Sequence, residues 1–209
     1  MALKDIIGQK KAVNILFGTM ARNRIPSAYL FAGESGIGKK FTAINLAKTI
    51  NCLAPKTPID CCDECPSCKK IESQTHPDFL MAAPEKGEIR IDEIRMIEEV
   101  ISLAPYEGKR KVVIVDDAET MNPSAANAFL KTLEEPPPRS IIILISASPD
   151  RLPETIRSRC SRINFSPLAP EQCKEVIRAI DNQDAELTDS QLSTLSRLSM
   201  GRPGLAISS

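Results

Sequence analysis

Apolar residues follow two kinds of rhythm along this chain. Val13, Leu16, Phe17 and Met20 fall at helical spacing between residues 9 and 22. Asn23 to Pro26 then break the pattern before the continuous run Ala28-Tyr29-Leu30-Phe31-Ala32. Helix, turn and buried strand are predicted in that order. Phe41 to Ile50 returns to helical spacing, and Ile94, Ile97 and Ile101 line one face of a helix from Ile91 through Leu103, which Pro105 ends. Lys111 to Val115 and Ile141 to Ile145 are unbroken apolar runs, the pattern of parallel strands covered on both faces. Between them Asn122-Pro123 opens a helix as cap and first-turn residue, with Ala126, Phe129, Leu130 and Leu133 on one face until Pro136-Pro137-Pro138. An α/β fold with a parallel sheet is predicted over residues 1–166.

A smaller helical lid is predicted over 167–209. Cys173, Val176, Ile177 and Ile180 share one helix face, Thr188 and Gln191 form a capping box for a second helix, and Gly201-Arg202-Pro203-Gly204 starts a third. That third helix ends too soon at Ser209 to be stable alone, so the lid is expected to be truncated.

One strand–helix junction carries chemistry. Gly33-Glu34-Ser35-Gly36-Ile37-Gly38-Lys39-Lys40 nearly matches the phosphate-binding pattern G-x-x-x-x-G-K-[S/T], between a predicted strand and a predicted helix. In that pattern Gly33, Gly36 and Gly38 let backbone N–H groups close on phosphate oxygens, Lys39 reaches the outer phosphates, and the last hydroxyl ligates Mg²⁺. Here Lys40 replaces the hydroxyl, and Thr42 projects from the other side of the helix. Magnesium is expected to be poorly held, which leaves ATP/Mg²⁺ open as a cofactor. Asp116 ends a buried strand where Mg²⁺ would be met, and Asp117 stands where many such ATPases carry the Glu that orients water. Ser146 and Ser148 are candidates for a polar phosphate sensor at the next strand end, because Ala147 between them has no suitable group.

Cysteine usage adds a second site. Five of the seven cysteines crowd into residues 52–68, a stretch broken by Pro55, Pro58 and Pro66 and therefore expected to be irregular. Cys52, Cys62, Cys65 and Cys68 are predicted to hold a structural Zn²⁺, with Cys61 an alternative to its neighbour Cys62. The lone His76 reads as a loop-packing or capping residue. Lys and Arg total 27 and Asp and Glu total 27, a balance that argues against a uniformly basic nucleic-acid binder. No run approaches the roughly 18 apolar residues of a membrane span, and the N-terminus lacks a secretory apolar core, so a cytoplasmic location is expected.

Several segments together resemble the AAA+ subunits of the bacterial replicative clamp loader. They are Asn127-Ala128-Phe129-Leu130-Lys131-Thr132-Leu133-Glu134-Glu135-Pro136-Pro137, Leu152-Pro153, Arg157-Ser158-Arg159-Cys160, Asp5-Ile6-Ile7-Gly8-Gln9 and the four-cysteine module. The resemblance implies an AAA+ P-loop NTPase fold with a zinc-binding insertion, a place in a DNA polymerase III hetero-oligomer, and work in DNA replication on the sliding clamp and primed DNA. The other clamp-loader subunits, gamma/tau and delta, are the implied partners. It further implies that Arg159 acts in trans at a neighbour's ATP site. Lys40, Asp117 and Ala147 resemble the delta-prime branch of the family more than the gamma/tau motor branch, which hydrolyses ATP itself and stands as the alternative. The family's lid arginine falls near Gly204, and a helical collar domain common in full-length relatives is not recognised here.

Overall fold

The computed structural model describes residues 3–55, 57, 59–84, 87–181 and 188–207. Pro58, Ser209 and the side chain of Ile180 lie outside the described residues. In chain order the elements are α1 (Lys10–Ala21), β1 (Ala28–Ala32), α2 (Lys39–Asn51), α3 (Pro66–Glu72), β2 (Phe79–Ala82), α4 (Ile91–Ser102), β3 (Lys111–Val115), α5 (Pro123–Glu134), β4 (Ser140–Ser146), α6 (Glu154–Arg157), β5 (Ser161–Asn164), α7 (Pro170–Asp181), α8 (Asp189–Leu198) and α9 (Pro203–Ile207).

The strands form one parallel sheet in the order β2-β3-β4-β1-β5. β4 is central and its residues are buried throughout, as its unbroken apolar run requires. Alternation along the strands sends side chains to two cores. Tyr29, Phe31, Val112, Ile114, Ile141 and Ile143 face α1 and α2. Leu30, Val113, Val115, Ile142 and Leu144 face α4 and α5, meeting Ile94, Ile97 and Phe129. Each fully buried Leu, Ile or Phe stabilises the fold by about 1.5–3 kcal/mol.

The short elements α3, β2, α6 and β5 escaped the sequence patterns, β5 and α3 for identifiable reasons. β5 is an edge strand in which Ile163 is buried while Arg162 and Asn164 are exposed, so it never forms an apolar run. α3 begins inside the cysteine stretch expected to be irregular, because Cys65 accepts a hydrogen bond from the Cys68 N–H and Pro66 occupies the first turn.

Thr188 and Gln191 cap α8 reciprocally. Leu168, Cys173, Ile177 and Leu192 join the core on the α1/α2 face, which fastens the helical segment to the sheet. The third C-terminal helix is also formed, as α9: tertiary docking supplies what its length cannot. Its Gly204 N–H donates to the Gly36 carbonyl at 2.9 Å. A Cβ on Gly204 would lie 2.9 Å from the Gly36 Cα, so only glycine permits this approach.

Candidate functional site

β1 delivers the chain into the loop at Gly33, and α2 starts at Lys39. Gly38 caps α2 at φ 96°, where a side chain is strained although an added Cβ would touch nothing. Backbone shape, not crowding, demands glycine there. Lys39 is buried, and its Nζ donates to the carbonyls of Gly33 at 2.5 Å and Glu34 at 2.6 Å. Burial draws the Lys39 pKa below the ordinary lysine value, against the pull of Glu119, Asp116 and Asp117.

The residue after it is engaged across the sheet. Lys40 Nζ lies 3.2 Å from Asp116 Oδ2, at the end of β3. Thr42 does not compensate for the missing hydroxyl, since its Oγ1 donates to the Gly38 carbonyl at 2.8 Å. A divalent cation fits this donor set badly: the hydroxyl ligand is gone, and the strand-end carboxylate already has a cation. A nucleotide fits better. Beside the loop is a cavity of about 580 Å³ whose walls include Ile6, Ile7, Ile44, Leu168 and Val176, with Ser35 to Lys40 and Asp116 at its polar end. Buried Gln9 ties this region together, donating from Nε2 to the carbonyls of Ile37 at 3.1 Å and Ser166 at 2.8 Å.

Asp117 turns in a left-handed conformation at φ 46°. Burial raises its carboxyl pKa, and Asp116 and Glu119 push the same way. Glu119, which sequence reasoning passed over, bridges two strand ends by accepting the N–H groups of Ala147 at 2.9 Å and Ser148 at 3.1 Å through Oε1. Its Oε2 is buried without a hydrogen-bond partner among the described residues. Ser146 is buried and accepts the Ser148 N–H at 3.1 Å through Oγ, whereas Ser148 is exposed. The only available sequence signal for Glu119 was its place in the acidic run after β3.

Arg159 lies in the short connection between α6 and β5. Its Nη1 donates to the Thr155 carbonyl at 2.7 Å, and its Nη2 lies 2.6 Å from Glu134 Oε1, at the end of α5. The side chain stays one-third exposed, so the guanidinium is both braced and reachable.

The cysteines converge as a separate centre. One sulfur from each of Cys52, Cys62, Cys65 and Cys68 lies within 4.8 Å of the others, a compact four-thiol set that could hold a metal ion. Cys61 points elsewhere, with its Sγ 3.4 Å from Asp63 Oδ1. Burial and then Asp63 push the Cys61 thiol up to about 11. For Cys65 burial opposes ionisation, but the N–H groups of Cys68 and Leu53 draw the thiol down to about 6. The loop is braced by buried Lys48, which pairs with Asp63 and Glu72. His76 is buried, and its Nδ1 accepts the Asp78 N–H at 3.0 Å, a loop-packing role. Asp78 itself accepts the N–H groups of Tyr106, Glu107 and Gly108 at 2.7, 2.8 and 2.6 Å.

Residues 8–169 match the family described as DNA polymerase III, delta subunit. The chain is 36% identical over 167 residues to the DNA polymerase III subunit delta' of Bacillus subtilis, covering 80% of this chain and 50% of that protein. It is 37% identical over 171 residues to the subunit tau of the same organism, covering 80% of this chain and 30% of that protein. It thus spans half or less of these relatives. Among solved structures, the RuvB Holliday junction branch migration motor of Thermotoga maritima superimposes with a TM-score of 0.64 at 19% identity, covering 99% of this chain and 61% of that one. That likeness shows the fold, an AAA+ P-loop type. Among the described residues no helix is long and apolar enough to cross a membrane.

Proposed function

This chain belongs to the DNA polymerase III family of delta-prime-like clamp-loader subunits, and from that premise we propose that it works as a non-hydrolysing member of the clamp loader. In this reading it docks beside the gamma/tau and delta subunits, supports ATP-driven loading of the sliding clamp onto primed DNA in the cytoplasm, and donates Arg159 to a neighbour's ATP site. Residues 1–166 form the AAA+ domain, 167–209 the lid, and Cys52, Cys62, Cys65 and Cys68 hold Zn²⁺ as a structural ion.

The observation that carries the proposal is the Lys40–Asp116 ion pair. Hydrolysis at a phosphate loop needs a divalent ion bridging the outer phosphates and a group orienting water. Lys40 stands where the ion's ligand belongs, and Asp117 is shorter than Glu and drawn toward its neutral form. Arg159 retains what its role requires: a permanent charge, exposure and a fixed mount. A cation brought beside a transferring phosphoryl group stabilises charge that develops in the transition state.

The sequence similarity to tau favours a second reading, a gamma/tau-like subunit that hydrolyses ATP itself. Replacing Lys39 by Ala in this subunit of a reconstituted complex separates the two. Unchanged ATP turnover is expected; loss of turnover from an intact complex would identify a motor subunit.

A further inference from the structure

The loop has lost the means to hold a metal but not the means to hold phosphate. Its glycines keep their left-handed turns at Gly36, φ 78°, and Gly38, φ 96°. Two lysines stand together at its helix end, and the apolar part of the adjoining cavity suits a base. We propose that the Lys40 ammonium replaces the divalent cation at Asp116, so that the site binds a nucleoside di- or triphosphate without metal. The proposal deepens the reading of this loop as non-hydrolysing and does not depend on the role of Arg159.

The charges support it. In a metal-dependent site the cation screens the strand-end carboxylate from the phosphates. Here Lys40 does so from within the chain, at 3.2 Å from Asp116. An ammonium has three N–H donors, so contact with Asp116 leaves others for phosphate oxygens. The Lys40 side chain is 47% exposed, so those donors are accessible. The Lys39 ammonium donates to the backbone carbonyls of Gly33 and Glu34, and phosphate is the stronger acceptor. Arg202 adds a third cation at the loop, 3.3 Å from Glu34. A single ammonium carries less charge than a divalent ion and cannot bridge and polarise two phosphates. The ligand is therefore retained without being turned over, as a brace between the loop and the α9 segment that rests on Gly36.

Isothermal titration of ATP into the purified chain, in EDTA and in Mg²⁺, tests this directly, with Lys40→Thr and Lys40→Met as variants and tripolyphosphate as a second probe. The wild type is expected to bind ATP in EDTA within about threefold of its affinity in Mg²⁺, and tripolyphosphate more weakly. Both variants should lose at least ~10-fold in EDTA, and only Lys40→Thr, which restores the hydroxyl, should recover in Mg²⁺. Binding by the wild type only with Mg²⁺, no binding in EDTA, or variants that match the wild type in EDTA would overturn the proposal. Equal affinity for tripolyphosphate would overturn the assignment of the apolar cavity to a base. Each of these outcomes leaves the Arg159 role to be decided separately in the assembled complex.

Discussion

Glu134 and Arg159 are joined across the gap between α5 and the segment after α6, Oε1 to Nη2, at 2.6 Å. Arg159 also donates to Thr155, so two partners fix the guanidinium plane while one-third of the side chain remains open. Both charges of the pair are well exposed, which limits its worth to folding to about 0–1 kcal/mol. Its consequence is orientation. Glu134→Ala is expected to leave thermal stability nearly unchanged but to lower the ATPase of the assembled complex by roughly three- to tenfold, the scale of a mispositioned group. Glu134→Asp should recover part of the loss, a pattern a purely structural residue does not give.

The cysteine centre predicts a sharp contrast between neighbours. Cys68→Ser should empty the site of zinc and destabilise the chain by ~4 kcal/mol or more, the scale of a lost metal site. Cys61→Ser should leave the metal content unchanged, since that sulfur points to Asp63. Metal analysis and thermal unfolding, repeated after chelation, check both statements.

Asp78 organises the turn before β3 from beneath. Burial alone would raise its pKa, but the N–H groups of Tyr106, Gly108 and Glu107, with Lys111, hold it below the usual carboxylate range. A carboxyl group whose folded pKa lies below its unfolded value stabilises the fold above the unfolded value, about 3.9, and loses that contribution as pH falls through the folded one. Asp78→Asn should therefore cost about 3 kcal/mol at pH 7, with three N–H donors left poorly satisfied. Urea midpoints should show the gap to wild type closing below about pH 4.

The close approach of Gly204 to Gly36 gives a fourth prediction. Gly204→Ala should force α9 off the phosphate loop at a cost of about 1–3 kcal/mol. Hydrogen exchange should then quicken at the Gly204 amide and along α9, while exchange in β4 stays slow.

Legibility in the sequence followed the physics of each feature. Ala28–Ala32, Lys111–Val115 and Ile141–Ile145 announced themselves because strands buried on both faces must be apolar throughout. The loop from Gly33 to Lys40 and the Thr188–Gln191 box were legible because local backbone geometry dictates their residues. The cysteine set was legible from spacing, although spacing alone could not choose between Cys61 and Cys62; in the structure the Cys62 sulfur lies with the other three and the Cys61 sulfur lies against Asp63. β5 was hidden because an edge strand needs only Ile163 to be apolar. Lys40–Asp116, Glu134–Arg159 and the bond from Glu119 to Ala147 were hidden for another reason. Each joins residues far apart in sequence on different elements, and only tertiary packing brings them together.

The role of Arg159 in trans is the central claim, and one substitution tests it most directly. In a reconstituted clamp loader, Arg159→Ala in this subunit should leave assembly intact and depress DNA-stimulated ATPase by roughly tenfold or more, the scale for losing a group that stabilises transition-state charge. Arg159→Lys should not restore it, because a point charge lacks the planar fork. An intact complex with unchanged DNA-stimulated ATPase would contradict the claim.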